Sequence, residues 1–149
     1  MKCVGIDPGV AAAAAVCYDG RRIVAARSWT TETAAGFTAL VMRARQQAER
    51  IGEFVRENDP ELLVIEGFED THREAARRFF TPILIGVLDA ELAGDFRIEY
   101  QLPSVVKRRM RDYLTYWTQG RTLVPGDDRL TNEHLRDAAL YAIYGSGVT

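Results

Sequence analysis

The sequence predicts an α/β domain: a five-stranded mixed sheet, strands 1–3 an antiparallel meander, with helices on both faces. Three observations carry this. The first thirty residues hold three strand-like runs separated only by turn formers, leaving no room for helices between them. The run Glu61-Leu-Leu-Val-Ile-Glu66 is continuously apolar, the pattern of a parallel strand covered on both faces. From Phe37 onward, helix-like and strand-like segments alternate. With 149 residues, no composition shift and no internal repeat, the chain reads as one domain over 1–149.

The elements follow in order. Lys2 to Ile6 is a short apolar run closing at Asp7, and Asp7-Pro8-Gly9 is a turn signal. Val10 to Tyr18 is a second strand despite five consecutive alanines, which are poor strand formers. Their small size suits a helix packed closely over them. Asp19-Gly20 is a tight-hairpin dipeptide, and Arg22 to Trp29 returns as the third strand. Phe37, Leu40, Val41, Ala44, Ala48, Ile51 and Val55 recur at helical spacing until Asn58-Asp59-Pro60 stops them.

After the Glu66 strand, Thr71-His-Arg-Glu74 has capping-box form and begins another helix. Thr81-Pro82 either interrupts it or starts a new one running to about Leu92. Phe96 to Leu102 is a fifth strand, and Pro103 to Tyr113 a basic helix. Thr118 to Asp128 is rich in turn formers and reads as a mobile loop. A final helix spans about Thr131 to Tyr144, with Leu135, Ala138, Ala139, Ala142 and Ile143 as its apolar face and Gly145 placed to end it.

Composition narrows the function classes. Apolar residues make up 47% and charged residues 27%, as in ordinary globular domains. No apolar run approaches the ~20 residues that span a bilayer, and Met1-Lys2 leads directly into the first strand without a signal-peptide pattern. The reading is a cytoplasmic protein without membrane contact. Cys3 and Cys17 sit in apolar runs without metal-ligand spacing and read as reduced core residues. The net charge of -2 argues against a protein that grips long nucleic acid non-specifically. Its distribution says more: between Gln101 and Arg121, Lys107, Arg108, Arg109, Arg111 and Arg121 face only Asp112. Such a run is either a phosphate-binding face or a solvated helix face.

The residues that carry chemistry lie at element ends. Asp7 closes the first strand and Glu66 the fourth, so if those strands are neighbours both carboxylates emerge at one sheet edge. Each alone is an ordinary strand-end acid; together they are costly to place unless paired or bound to a cation. His134 and Asp137 stand three apart on the last helix, on one face bordering its apolar side. Asp, Glu and His at one centre suit Mg²⁺ or Mn²⁺ rather than a structural zinc. Phosphodiester hydrolysis needs such a set, because two divalent ions activate the water and stabilise the departing oxygen.

Four segments carry a resemblance. Cys3-Val-Gly-Ile-Asp7-Pro-Gly9, Leu63-Val-Ile-Glu66, Pro103-Ser-Val-Val-Lys107 and His134-Leu-Arg-Asp137-Ala-Ala-Leu-Tyr-Ala resemble, in order and interval, the catalytic segments of RuvC-type Holliday junction resolvases. The resemblance implies a ribonuclease H-like fold, a homodimer, and paired nicks across a four-way DNA junction. It further implies two Mg²⁺ ions per active site, replaceable by Mn²⁺, held by Asp7, Glu66, His134 and Asp137. Lys107 would stand near the scissile phosphate, and His134 would be a metal ligand or a proton acceptor.

Phe68 occupies the loop where family members carry an aromatic wedge for the branch point; the alternative is a core role. Arg73, Arg77 and Arg78 either reach phosphates, with Arg108, Arg109 and Arg111, or cover a helix face. The apolar stripe of Ala76, Phe79, Phe80, Ile83 and Val87 is core or dimer contact. The His-Asp final pair, the short chain and the lack of a Gly- and Lys-rich stretch after Lys107 resemble a divergent or phage-borne branch. Two rival readings are a ribonuclease H-type enzyme acting on RNA–DNA hybrids and a junction-binding module without cleavage.

Overall fold

The computed structural model describes residues 1–32, 36–68 and 80–147. Among these, β1 (Cys3–Asp7), β2 (Ala12–Tyr18) and β3 (Ile23–Thr30) form the expected meander, followed by helix α1 (Phe37–Asn58) and strand β4 (Leu62–Glu66). Helix α2 (Phe80–Leu92), β5 (Ile98–Gln101), α3 (Pro103–Arg109), α4 (Arg111–Thr118) and α5 (Glu133–Gly145) complete the order. The sheet runs β3-β2-β1-β4-β5. β1 pairs antiparallel with β2 and parallel with β4, and β4 pairs parallel with β5. The two central strands are therefore the pair that ends in Asp7 and Glu66.

Side-chain alternation divides the core into two layers. Val4, Ile6, Ala13, Ala15, Cys17, Leu63 and Ile65 pack against α1 and α2. Cys3, Ala14, Val16, Leu62 and Val64 pack against α5 and the shorter helices beside it. Cys3 and Cys17 thus lie on opposite faces as free thiols. Burial pushes both thiols up to about 11, so they stay protonated and unreactive, as core cysteines should.

Helix α5 lies almost against the backbone of the central strands. A Cβ on Gly5 would sit 2.0 Å from the Ala138 carbonyl oxygen and 2.4 Å from the Ala142 nitrogen. Another on Gly145 would sit 2.3 Å from Val64 Cγ2. Glycine at these positions, with Ala138 and Ala142 opposite Gly5 and Val64 opposite Gly145, lets the helix approach where any side chain would hold it off. This also accounts for Ala14, whose small side chain lies beneath the helix at no exposure. Gly145 is accordingly not a stop signal: it belongs to the last turn of the helix, and Ser146 caps it. At the other end Asn132 accepts a hydrogen bond from Leu135 N at 2.9 Å, a side-chain N-cap.

Elsewhere tertiary packing overrode local pattern. Phe37, periodic with the apolar face of α1, is 72% exposed. Gln47, on the same helix, is fully buried, and its amide donates to Gly9 O at 3.4 Å and Trp29 O at 3.2 Å. It fastens the turn after Asp7 to the edge strand. The basic segment forms two helices, not one, because the chain turns at Met110 (φ -105°, ψ 17°) and drops that side chain into the core. The stretch after Thr118 is no loose loop. Asp127 Oδ2 accepts from Leu123 N, Trp117 Nε1 and Val124 N at 2.7, 3.0 and 3.2 Å, and Ile23 N donates to Pro125 O at 2.9 Å. Val124 and Leu130 enter the core beside it. No helix among the described residues is long and apolar enough to cross a membrane.

The close approach at Gly5 yields a paired test. Gly5→Ala should cost more than about 3 kcal/mol, since the new methyl meets backbone atoms that cannot yield. Gly86→Ala, on α2 where a Cβ meets nothing within 4 Å, should gain about 0.5–1 kcal/mol. Urea unfolding of the two variants beside the parent protein measures both signs.

Candidate metal centre

The site follows from two periodicities meeting. In β1 the residues Cys3, Gly5 and Asp7 share one face, and in β4 so do Leu62, Val64 and Glu66. Those faces look toward α5, as the packing of Cys3, Leu62 and Val64 shows. The parallel register Gly5↔Val64 and Ile6↔Ile65 puts Asp7 and Glu66 side by side at the carboxyl edge of the central strands. Helix α5 runs back over this face with Ala138 and Ala142 at Gly5, so its first turns lie over that edge. His134 and Asp137 are thereby delivered to the strand-end acids.

The contacts are specific. His134 Nδ1 lies 2.9 Å from Asp7 Oδ2. Lys107, from the end of α3, donates to Asp137 Oδ2 at 3.1 Å. Asp7, Glu66 and Asp137 each present a carboxylate oxygen within 4.8 Å of the others. His134 stands beside this trio rather than within it. Glu66 Oε2 is buried and has no hydrogen-bond partner among the described residues. A buried carboxylate oxygen without a partner, inside a cluster of oxygen donors, is the arrangement a hard divalent cation satisfies. The residues therefore fit a hard divalent cation.

The electrostatics agree. Burial, reinforced by the neighbouring Asp7, pushes the Glu66 carboxyl up to about 7. Burial also raises Asp7, against the opposing pull of its hydrogen bond to His134. His134 is raised in turn, chiefly by that bond. Lys107 is drawn upward by Asp137 and the other acids, more than burial draws it down. Two basic side chains, Lys107 and His134, thus stand against the cluster, and burial pushes two of its carboxyls up.

Other residues read from the sequence lie at differing distances from this centre. Phe68 follows Glu66 by two positions and is half-buried. Arg108 and Arg111 are exposed, on separate helices. Arg109 lies over the Tyr144 ring at 5.9 Å and Arg121 over the Tyr116 ring at 4.3 Å, so the basic residues form no single face. Arg73, Arg77, Arg78, Ala76, Phe79 and the capping box at Thr71 lie outside the described residues. In α2, Leu84, Leu88 and Leu92 are core, which leaves the partly covered Ile83, Ile85 and Val87 for any external contact. Sequence reasoning passed over Tyr141, fully buried one turn beyond Asp137. The signal was its spacing, four from Asp137 and seven from His134, on one helix face.

No protein-family model matches the chain, and no curated protein matches it in sequence. Solved structures do. Thermus thermophilus RuvC in complex with a Holliday junction substrate is similar at a TM-score of 0.74 and 16% identity, over 99% of this chain and 97% of that one. Fowlpox virus resolvase, solved with substrate Holliday junction DNA, is similar at 0.59 and 8%, over 99% and 97%. The yeast mitochondrial Holliday junction resolvase is similar at 0.55 and 12%, over 98% and 76%. The chain therefore has the RuvC fold, the ribonuclease H-like architecture that the four sequence segments imply.

The raised carboxyls fix the direction of a stability measurement. In the metal-free fold, Glu66 keeps a proton that the unfolded chain releases between its ordinary value of 4.5 and about 7. The folded state then binds more protons, so stability falls as pH rises through that window. The His134–Asp7 pair acts in the same direction, being lost as pH rises through the raised imidazole value. Melting at pH 5.5 should therefore exceed melting at pH 8 in EDTA, and Mg²⁺ should recover the loss at pH 8. Glu66→Gln should remove most of the pH dependence, raising metal-free stability at pH 8 by about 2 kcal/mol, or roughly 5 °C. Scanning calorimetry across pH, with and without Mg²⁺, reads each of these.

Proposed function

We propose that this chain is a divergent RuvC-type resolvase, a divalent-metal-dependent endonuclease that nicks four-way junction DNA. The observation that carries this is the meeting of Asp7, Glu66 and Asp137 within 4.8 Å at the carboxyl edge of the central strands of a RuvC fold. The reading unites three supports: the segment order in the sequence, the fold, and a donor set made of oxygen.

Two Mg²⁺ ions held by Asp7, Glu66 and Asp137, with Mn²⁺ able to substitute, would supply an activated water and charge neutralisation at the leaving oxygen. The protein side chains do the rest. His134 is held by its Nδ1 on Asp7. From there it would add a nitrogen ligand or accept a proton from a water at the site. Lys107 stands at the mouth of the site, its side chain 41% exposed, bonded to Asp137. An ammonium there stabilises negative charge as it develops on the phosphate. Arg108 and Arg111, with Arg73, Arg77 and Arg109, would hold flanking phosphates, contacts that set position rather than sequence. Phe68, two residues past Glu66, would stack on a base at the branch point, worth roughly 1–3 kcal/mol.

A four-way junction has two-fold symmetry, and a C2 homodimer is the simplest assembly that places two sites on opposed strands. Ile83 and Val87, one turn apart on α2, are the proposed contact.

Four outcomes test the proposal. A synthetic four-way junction should be nicked in Mg²⁺ to leave 5′-phosphate ends, while linear duplex and RNA–DNA hybrid remain intact and EDTA stops the reaction. Asp7→Asn should lower nicking by at least about a hundredfold with junction binding retained; near-parental cutting by this variant, or cutting in EDTA, removes the proposed centre. Lys107→Ala should lose single-turnover rate on bound junction more than affinity. Arg108→Gln with Arg111→Gln should weaken binding to every DNA shape alike and reduce the salt slope by about one per residue.

A further inference from the structure

Beneath the acidic trio lies a group that the proposed chemistry leaves without a task. Tyr141 is fully buried in the core between α5 and the sheet. Its hydroxyl has no hydrogen-bond partner among the described residues, and the same is true of Glu66 Oε2. The two groups are neighbours: the hydroxyl pulls the Glu66 carboxyl down, and the carboxylate pushes the phenol up. A buried hydroxyl left unpaired costs roughly 1–3 kcal/mol, and phenylalanine would fill the same space without that cost. Two adjacent orphans, one a donor and one an acceptor, point to a state in which they close on each other.

We propose that Tyr141 is a positioning residue for Glu66, donating its phenolic O–H to the buried carboxylate oxygen. A hydrogen bond to a carboxylate in the core is stronger than one between neutral groups. Tyr141 thereby holds the Glu66 carboxylate in place beside Asp7 and Asp137. The helix phase makes this possible, because Asp137 and Tyr141 lie one turn apart on the face that covers the strand ends.

The inference rests on the metal-centre reading of the same cluster, and the experiment separates the two. Mn²⁺ binding is titrated by electron paramagnetic resonance in the parent protein and in Tyr141→Phe, beside melting of both in EDTA. The expected result is about tenfold weaker Mn²⁺ binding in Tyr141→Phe, with metal-free melting unchanged or raised. Nicking by the variant should be slow at limiting Mg²⁺ and recover at saturating Mg²⁺. If the parent binds Mn²⁺ and Tyr141→Phe binds it equally well, or if the variant loses metal-free stability and metal affinity together, the positioning role falls and the metal centre stands. If the parent binds no Mn²⁺, the metal centre falls and Tyr141 with it.

Discussion

The approach of α5 to the bare backbone at Gly5 is the constraint on which the rest of the molecule depends. A helix ordinarily rests on a cushion of strand side chains. Here Gly5 offers none, and Ala138 and Ala142 bring the helix to within a Cβ's reach of the strand. Ala14 of β2 serves the same end, giving up strand propensity so that the adjoining floor is low as well. The consequence is positional. Asp7 and Glu66 are short projections from strand ends, and only a helix seated this deeply can bring Asp137 within 4.8 Å of both.

That placement concentrates charge where the fold can least tolerate it. Three carboxylates meet at the edge of a buried layer, with Lys107 on Asp137, His134 on Asp7 and a Glu66 whose carboxyl burial pushes up. The cluster breaks the rule that buried acids be paired and hydrogen-bonded, and it does so at one atom in particular, Glu66 Oε2. Local inconsistency of this kind marks sites shaped for something other than stability. A cation would resolve it, because oxygen donors too close together for one another are well placed for a shared positive charge.

The outer layer on the α5 side is built to hold that helix rather than to present a uniform basic surface. The chain turns at Met110 so that Val106, Met110 and Trp117 reach the core from two short helices. The turn sets Lys107 at the acidic cluster, directs Arg109 toward Tyr144 and leaves Arg108 and Arg111 to solvent. Asp127 then gathers the indole of Trp117 and two backbone amides, closing the following loop against β3. Positive charge clustered in sequence is thus divided among separate tasks in space.

The sequence by itself determined the element order, the meander, the parallel central pair and the acids that end it. Each of these rests on short-range physics: alternation, helical period, turn residues and the position of a charge at the end of an apolar run. The His134 and Asp137 pairing was legible for the same reason, being a matter of helical phase. Tertiary structure alone decided the rest. Nothing local distinguishes Gly145 as a packing residue from Gly145 as a stop signal, or shows that Phe37 faces solvent while Gln47 is buried. The break at Met110 and the anchoring of the loop by Asp127 depend on partners distant in the chain. So does the lack of a hydrogen-bond partner at Glu66 Oε2 and the Tyr141 hydroxyl among the described residues, since that is set by elements far apart in the chain.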